Sequence, residues 1–272
     1  MAALSILLLG DGNRPEFRNA RACLDRWATV ATFSDPDSAA AALAEGRETP
    51  DVIVVAQAFP GQFSHAAVDR LRRLAPLARI LGLMGSWCEG EMRTGSPWPG
   101  VVRTYWHQWV ARGSRELRRL ACGQIGSWAL PVTATEEERL LVDTTEPRSQ
   151  QRGLAVLHSR SSETAEWLSA ACRSRGLATI WRRETTTDQV RGAAAGIFDG
   201  SDLSENECEE LHDLVVALHP APIIVLLAFP RIDQYERALS VGATAVLSKP
   251  PAVEDLFWEL DRVVGETPTV RS

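Results

Sequence analysis

Long apolar runs are missing from this chain. No stretch approaches the ~20 residues of a membrane-spanning helix, so no membrane contact is expected. The opening Met1–Leu9 carries no basic residue ahead of its apolar run and meets Gly10-Asp11-Gly12 too early for a secretory signal. It reads as a strand and a turn. Cysteine is sparse. Cys23, Cys88, Cys122, Cys172 and Cys208 are odd in number, scattered, and without a C-x-x-C pair, which argues against structural zinc and for a reducing, cytoplasmic compartment. Positive charge is also short. The 29 Lys and Arg against 35 Asp and Glu leave a net −6 and no basic footprint for nucleic acid. Gly10-Asp11-Gly12-Asn13 lacks the third glycine of a dinucleotide fingerprint and reads as a simple turn.

What remains is ordinary globular composition, 45% hydrophobic and 24% charged, in 272 residues, enough for two domains. Short apolar runs at 4–9, 29–33, 51–56, 79–83 and 101–106 alternate with helical patterns after Pro15, after Asp35, and around 68–74 and 115–121. Val52-Ile53-Val54-Val55 is continuous rather than alternating, as in a parallel strand buried on both faces. The pattern returns after 153, with strands at 154–157, 178–181, 195–198, 222–228 and 245–247. Helices are expected at 162–175, 185–190, 207–218 and 235–241, and again at the end. Between the halves, 123–152 reads as a polar linker, with Thr135 capping a short helix through Leu141. This predicts an α/β protein of two domains, 1–122 and 153–272, each a doubly wound sheet.

One stretch departs from the alternation. Met84 to Trp109 holds four of the nine Trp, and its Gly and Pro residues exclude a continuous helix or strand. A segment rich in aromatics is expected to be ordered. Trp87, Trp98, Trp106 and Trp109, with Arg93 and Arg103, have the composition of an interface hot spot. The same rings could instead fill a small core of their own. Cys88, Glu89, Glu91 and His107 invite a Cys/His nucleophile, which requires the two side chains to be adjacent. Arg112, Arg115 and Arg119 can share one helix face, expected to be solvated.

The second half resembles a receiver domain of two-component response regulators. Ile197-Phe198-Asp199 resembles the end of the family's third strand, and Pro222–Ala228 its fourth. Ala238-Leu239, Gly242-Ala243 and Leu247-Ser248-Lys249-Pro250 resemble the run into its fifth. The first half is similar in Pro50–Gly61 and in Tyr105-Trp106-His107-Gln108, with Ala56 at the acceptor position. The spacings, 199 − 56 = 143 and 249 − 107 = 142, suggest a duplication. The resemblance implies two flavodoxin-like five-stranded parallel sheets in tandem. It implies Asp199 as candidate phosphoacceptor, Lys249 as its phosphate-binding partner, and Mg²⁺ only if Asp199 is phosphorylated. The chain departs from the family at Ala56, at His158-Ser159 in place of an acidic pair, at Leu227 in place of a Ser or Thr, and at Val246 in place of an aromatic. These departures leave Asp199 and Lys249 as a surface ion pair.

The expected function is a signalling or interaction module that is not an enzyme and has no cofactor. It would bind a protein partner or a second copy through Trp87, Cys88, Glu89, Arg93, Trp98, Trp106, His107 and Trp109. The alternative is a small-molecule or nucleotide sensor using the same loop. An enzyme using Cys88 and His107 comes third.

Overall fold

The computed structural model describes residues 4–91, 95–131, 133–143, 152–184 and 190–265. Arg93, the linker residues 144–151 and most of the helix expected at 185–190 lie outside them. The chain divides into two compact units at Thr144/Thr145.

In the first unit β1 (Leu4–Leu9), β2 (Ala28–Phe33), β3 (Val52–Gln57), β4 (Arg79–Met84) and β5 (Val102–Tyr105) form one sheet in the order β2-β1-β3-β4-β5. Every pair is parallel. All six residues of β3 are buried, which is why that strand is written without alternation. Helices α1 (Arg18–Trp27), α2 (Pro36–Ala44) and α3 (His65–Leu74) provide the crossovers. Asp35 and Ser64 cap α2 and α3 by accepting from Ser38 N–H and Ala67 N–H.

Helix α4 spans Trp106–Ala121, so it starts nine residues before the predicted 115. Trp106, Trp109, Gly113 and Leu117 share its buried face. The spacing was helical, but aromatics and glycine are poor helix formers, and packing overrides their propensity here. The basic face is likewise corrected. Arg115 is buried, and both Arg115 and Arg119 reach Glu116, which is fully buried, at 3.3 and 3.0 Å.

Part of the expected linker belongs to the first unit's packing. Trp128 lies against Trp109 with centroids 5.3 Å apart, its backbone N–H donates to Glu116 at 3.0 Å, and Arg79 donates to Ala129 O. Thr135 and Glu138 exchange the two bonds of a capping box at the start of α5 (Glu136–Asp143).

The second unit repeats the architecture. Strands β6 (Gly153–His158), β7 (Leu177–Arg182), β8 (Ala193–Asp199), β9 (Ile223–Ala228) and β10 (Ala245–Lys249) are parallel in the order β7-β6-β8-β9-β10. Its helices with stated bounds are α6 (Ser162–Ser174), α7 (Glu205–Leu218), α8 (Ile232–Val241) and α9 (Val253–Gly265). Read from one edge to the other, both sheets have the 2-1-3-4-5 order of flavodoxin-like folds.

Pairing register gives the correspondence between units. Leu9 pairs with Val55 and His158 with Phe198, so Ala56 and Asp199 hold equivalent places. Val55 pairs with Gly82 and Gly82 with Arg103, while Phe198 pairs with Val225 and Val225 with Val246. Arg103 therefore matches Val246, and three residues on Trp106 matches Lys249. The equivalent of Lys249 is Trp106 rather than His107, and 199 − 56 and 249 − 106 are both 143.

Candidate functional site

Open parallel sheets bind ligands outside the carboxyl ends of their strands, and Asp199, Lys249, Trp87, Cys88 and Trp106 end or follow strands there. In the second unit Asp199 ends β8, Ser159 follows β6, and Lys249 ends β10. Lys249 Nζ stands 2.9 Å from Asp199 Oδ1, and Ser159 Oγ donates to Oδ2 at 2.7 Å. The carboxylate side chain is 9% exposed and that of Lys249 28%. The pair is thus a crevice feature, not the surface ion pair expected. Beneath it, His158 is stacked on Phe198 with centroids 4.9 Å apart and lies 3.3 Å from Glu210, and burial holds its pKa below the ordinary 6.5. Trp181 Nε1 donates to Ser159 O at 2.9 Å, which ties the edge strand β7 to the crevice.

The Mg²⁺ that the resemblance implies does not fit this donor set. After β6 the chain offers a hydroxyl, Ser159, and a cation, Arg160, which is paired with Glu210. A hard dication needs carboxylates there. Among the described residues, no group of three or more His, Cys, Asp or Glu could hold a metal ion.

In the first unit the equivalent place holds no acceptor side chain. Ala56 is buried, and the chain leaving β1 runs so close to it that a side chain at Gly10 would meet Ala56 O at 2.6 Å. Asp11 is exposed beside it. The polar groups are displaced toward β4 and β5. Gln57 Nε2 donates to both Glu91 oxygens at 3.4 and 3.3 Å, and Arg103 pairs with Glu91 in a nearly buried contact. Sequence reasoning missed Gln57 because a lone Gln at a strand end carries no pattern.

The Trp-rich stretch is not one loop. Its described residues include a 3-10 turn at Ser86–Cys88, β5 and the first turn of α4. Among the described residues between β4 and β5, only Glu91 is α-helical. Three of the four rings face inward. Trp98, Trp106 and Trp109 are 6, 2 and 0% exposed, and Trp98 and Trp106 donate to Phe63 O and Ser86 Oγ. Trp87 alone faces out, at 74%. Phe59, in the loop after β3, is half exposed.

Cys88 and His107 do not form a dyad. The thiol is fully buried and bonded to Gln57 O and Nε2, and desolvation pushes its pKa up to about 11, away from a reactive thiolate. His107 is buried on α4, stacked on Tyr105, with Nε2 3.2 Å from Glu89.

No family model and no curated protein matches the chain. Among solved structures it is similar to the receiver domain of Francisella response regulator 1452, at 15% identity over 43% of this chain and 99% of that one, with a TM-score of 0.37. A putative two-component response regulator/GGDEF domain protein matches 96% of this chain and 98% of its own, at 15% identity and a TM-score of 0.38. Full-length ShkA in complex with AMPPNP matches 96% of this chain and 50% of its own, at 12% identity and a TM-score of 0.35. Each unit is flavodoxin-like in fold. The strand order and the crossovers carry that statement, and likeness at such identities extends no further than fold.

One compositional signal marks the second crevice. The chain has 28 Arg and a single Lys, and that Lys is Lys249. A compact ammonium reaches into a narrow crevice as a point charge, which the planar fork of arginine does not reproduce.

Proposed function

We propose that this chain is a signal-transduction module of two receiver-like units that works by binding a protein partner, another copy of itself included, rather than by catalysis. The first unit performs no phosphotransfer of its own. What carries this reading is Ala56, which stands in the register of Asp199 with no nucleophile. Phosphoryl transfer needs an acceptor together with groups that neutralise the developing charge, and this crevice supplies neither. In the second unit Asp199 and Lys249 survive, but His158 and Ser159 stand where the resemblance puts the acids that would hold a metal, and Arg160 follows them. Asp199 serves there as a fixed carboxylate that ties β8 to β6 and β10.

Active receivers shift between two arrangements of one face when their charge changes. In this reading the first unit keeps the corresponding region in one arrangement, with Trp87 presented outward as the binding anchor. The sensor alternative loses support, because an aromatic wall for a ligand needs open rings and three of the four are packed inside.

Intact-mass measurement of the full chain after incubation with acetyl phosphate and Mg²⁺, and separately with beryllofluoride, tests the proposal. No adduct is expected on either unit. A stoichiometric adduct mapped to Asp199 would overturn the reading of the second unit, and one mapped within 1–122 that of the first.

A further inference from the structure

The first unit lost its acceptor carboxylate, yet a buried carboxylate still lies at the carboxyl end of its sheet. It belongs to Glu16, in the 3-10 turn Pro15–Phe17 ahead of α1, and is 9% exposed. Its Oε2 accepts from Ser86 N–H at 2.9 Å and from Ser86 Oγ at 3.2 Å. Ser86 Oγ in turn accepts from Trp106 Nε1 at 2.9 Å. Gly85 permits the approach, because a Cβ there would come within 2.8 Å of both Glu16 Oε1 and Ala58 O. Ser86 follows β4, and Trp106 holds the place of Lys249. The ends of strands 4 and 5 thus converge on an anion that the chain itself supplies.

We propose that Glu16 is a built-in anion that clamps the connection between β4 and β5 in one arrangement and thereby fixes the turn carrying Trp87. The inference rests on the reading of the first unit as a fixed recognition surface, and it supplies the regulation of that surface. Where an active receiver waits for a negative group to arrive, this unit holds one permanently. The bonds are charge-assisted and nearly dry, which makes them stronger than neutral bonds in water. Because Glu16 is tethered, no concentration of any donor controls its occupancy.

Hydrogen exchange of the full chain tests this. In Glu16→Ala the amides of 85–91 should exchange about 10- to 100-fold faster, the effect of removing hydrogen bonds to a charged group. Sodium formate, whose carboxylate fits the vacated place, should restore protection that sodium chloride at equal ionic strength does not. Unchanged exchange in Glu16→Ala would overturn the clamp, and so would a rise that the two salts reverse equally or not at all. If Glu16→Ala does not fold, Ser86→Ala keeps the carboxylate and the backbone bond while cutting the bridge to Trp106. It should speed exchange in the same peptide and leave the second unit unchanged, and no rise there refutes the clamp. A failed clamp leaves the phosphodonor result standing, and an adduct on the first unit leaves the exchange result standing, so the two readings fail separately.

Discussion

Trp109 touches Trp128 at the bottom of a closed interior, while Trp87 stands three-quarters exposed on its turn. Their substitutions should differ accordingly. Trp109→Ala should cost about 3–5 kcal/mol in urea unfolding, the range for emptying a large buried ring. Trp87→Ala should stay within about 0.5 kcal/mol, since no core depends on it. Equal costs would contradict the assignment of one ring to the core and the other to a surface. Composition showed that the stretch was rich in rings but not which way each points, because cores and binding anchors favour the same residue type. Asp199 was legible through the resemblance of Ile197-Phe198-Asp199 to the end of a receiver's third strand. Gln57 and Glu16 were not, nor was the bond of Ser159 to Asp199, since each acts through a partner far away in sequence.

At the scale of elements, the loop after β8 shows how a carboxylate can hold a connection. Glu207, on the first turn of α7, accepts from Ser201 N–H and hydroxyl and from Leu203 N–H, all at 2.8 to 3.1 Å. Leu203 is held at φ 56 with its side chain fully buried, a left-handed conformation that a leucine keeps only under constraint. Glu207→Ala should lower stability by about 2–3 kcal/mol, the scale of losing bonds to a buried charge, with the fastest new exchange at 200–204. Wild-type protection in that loop would show that the side chain is not what holds it. The strands were easier to read than this loop. Continuous apolar runs such as Ile223–Leu227 are required of parallel strands buried on both faces. Helix α4 was truncated in the sequence reading because its first turn is made of aromatics that packing, rather than propensity, keeps helical.

At the scale of the whole molecule, one buried histidine should leave a mark on stability against pH. His158 sits among Phe198, Glu210, Arg160 and Asp199, and burial, outweighing the attraction of Glu210, lowers its pKa from 6.5. The unfolded chain therefore takes up a proton near 6.5 that the folded chain refuses until lower pH. Below about 6.5 the unfolded state binds more protons, so stability falls as pH drops from 6.5 toward the folded pKa and is fully present above it. Urea midpoints at pH 7.5 and pH 5 should fall more in the wild type than in His158→Gln. Identical declines would remove His158 as the cause.

The shared register has a consequence for how the two halves relate. From Ala56 to Trp106 and from Asp199 to Lys249 the intervals are equal, 106 − 56 and 249 − 199 both being 50, although the second carries α8 and the first carries Trp87 and Trp98. The first half therefore diverged there by exchange of side chains with no net gain or loss of residues. That makes the strand 4 to strand 5 connection a length-matched cassette. Its helical version can be transplanted into the first half, or its tryptophan-bearing version into the second, without re-threading the strands on either side.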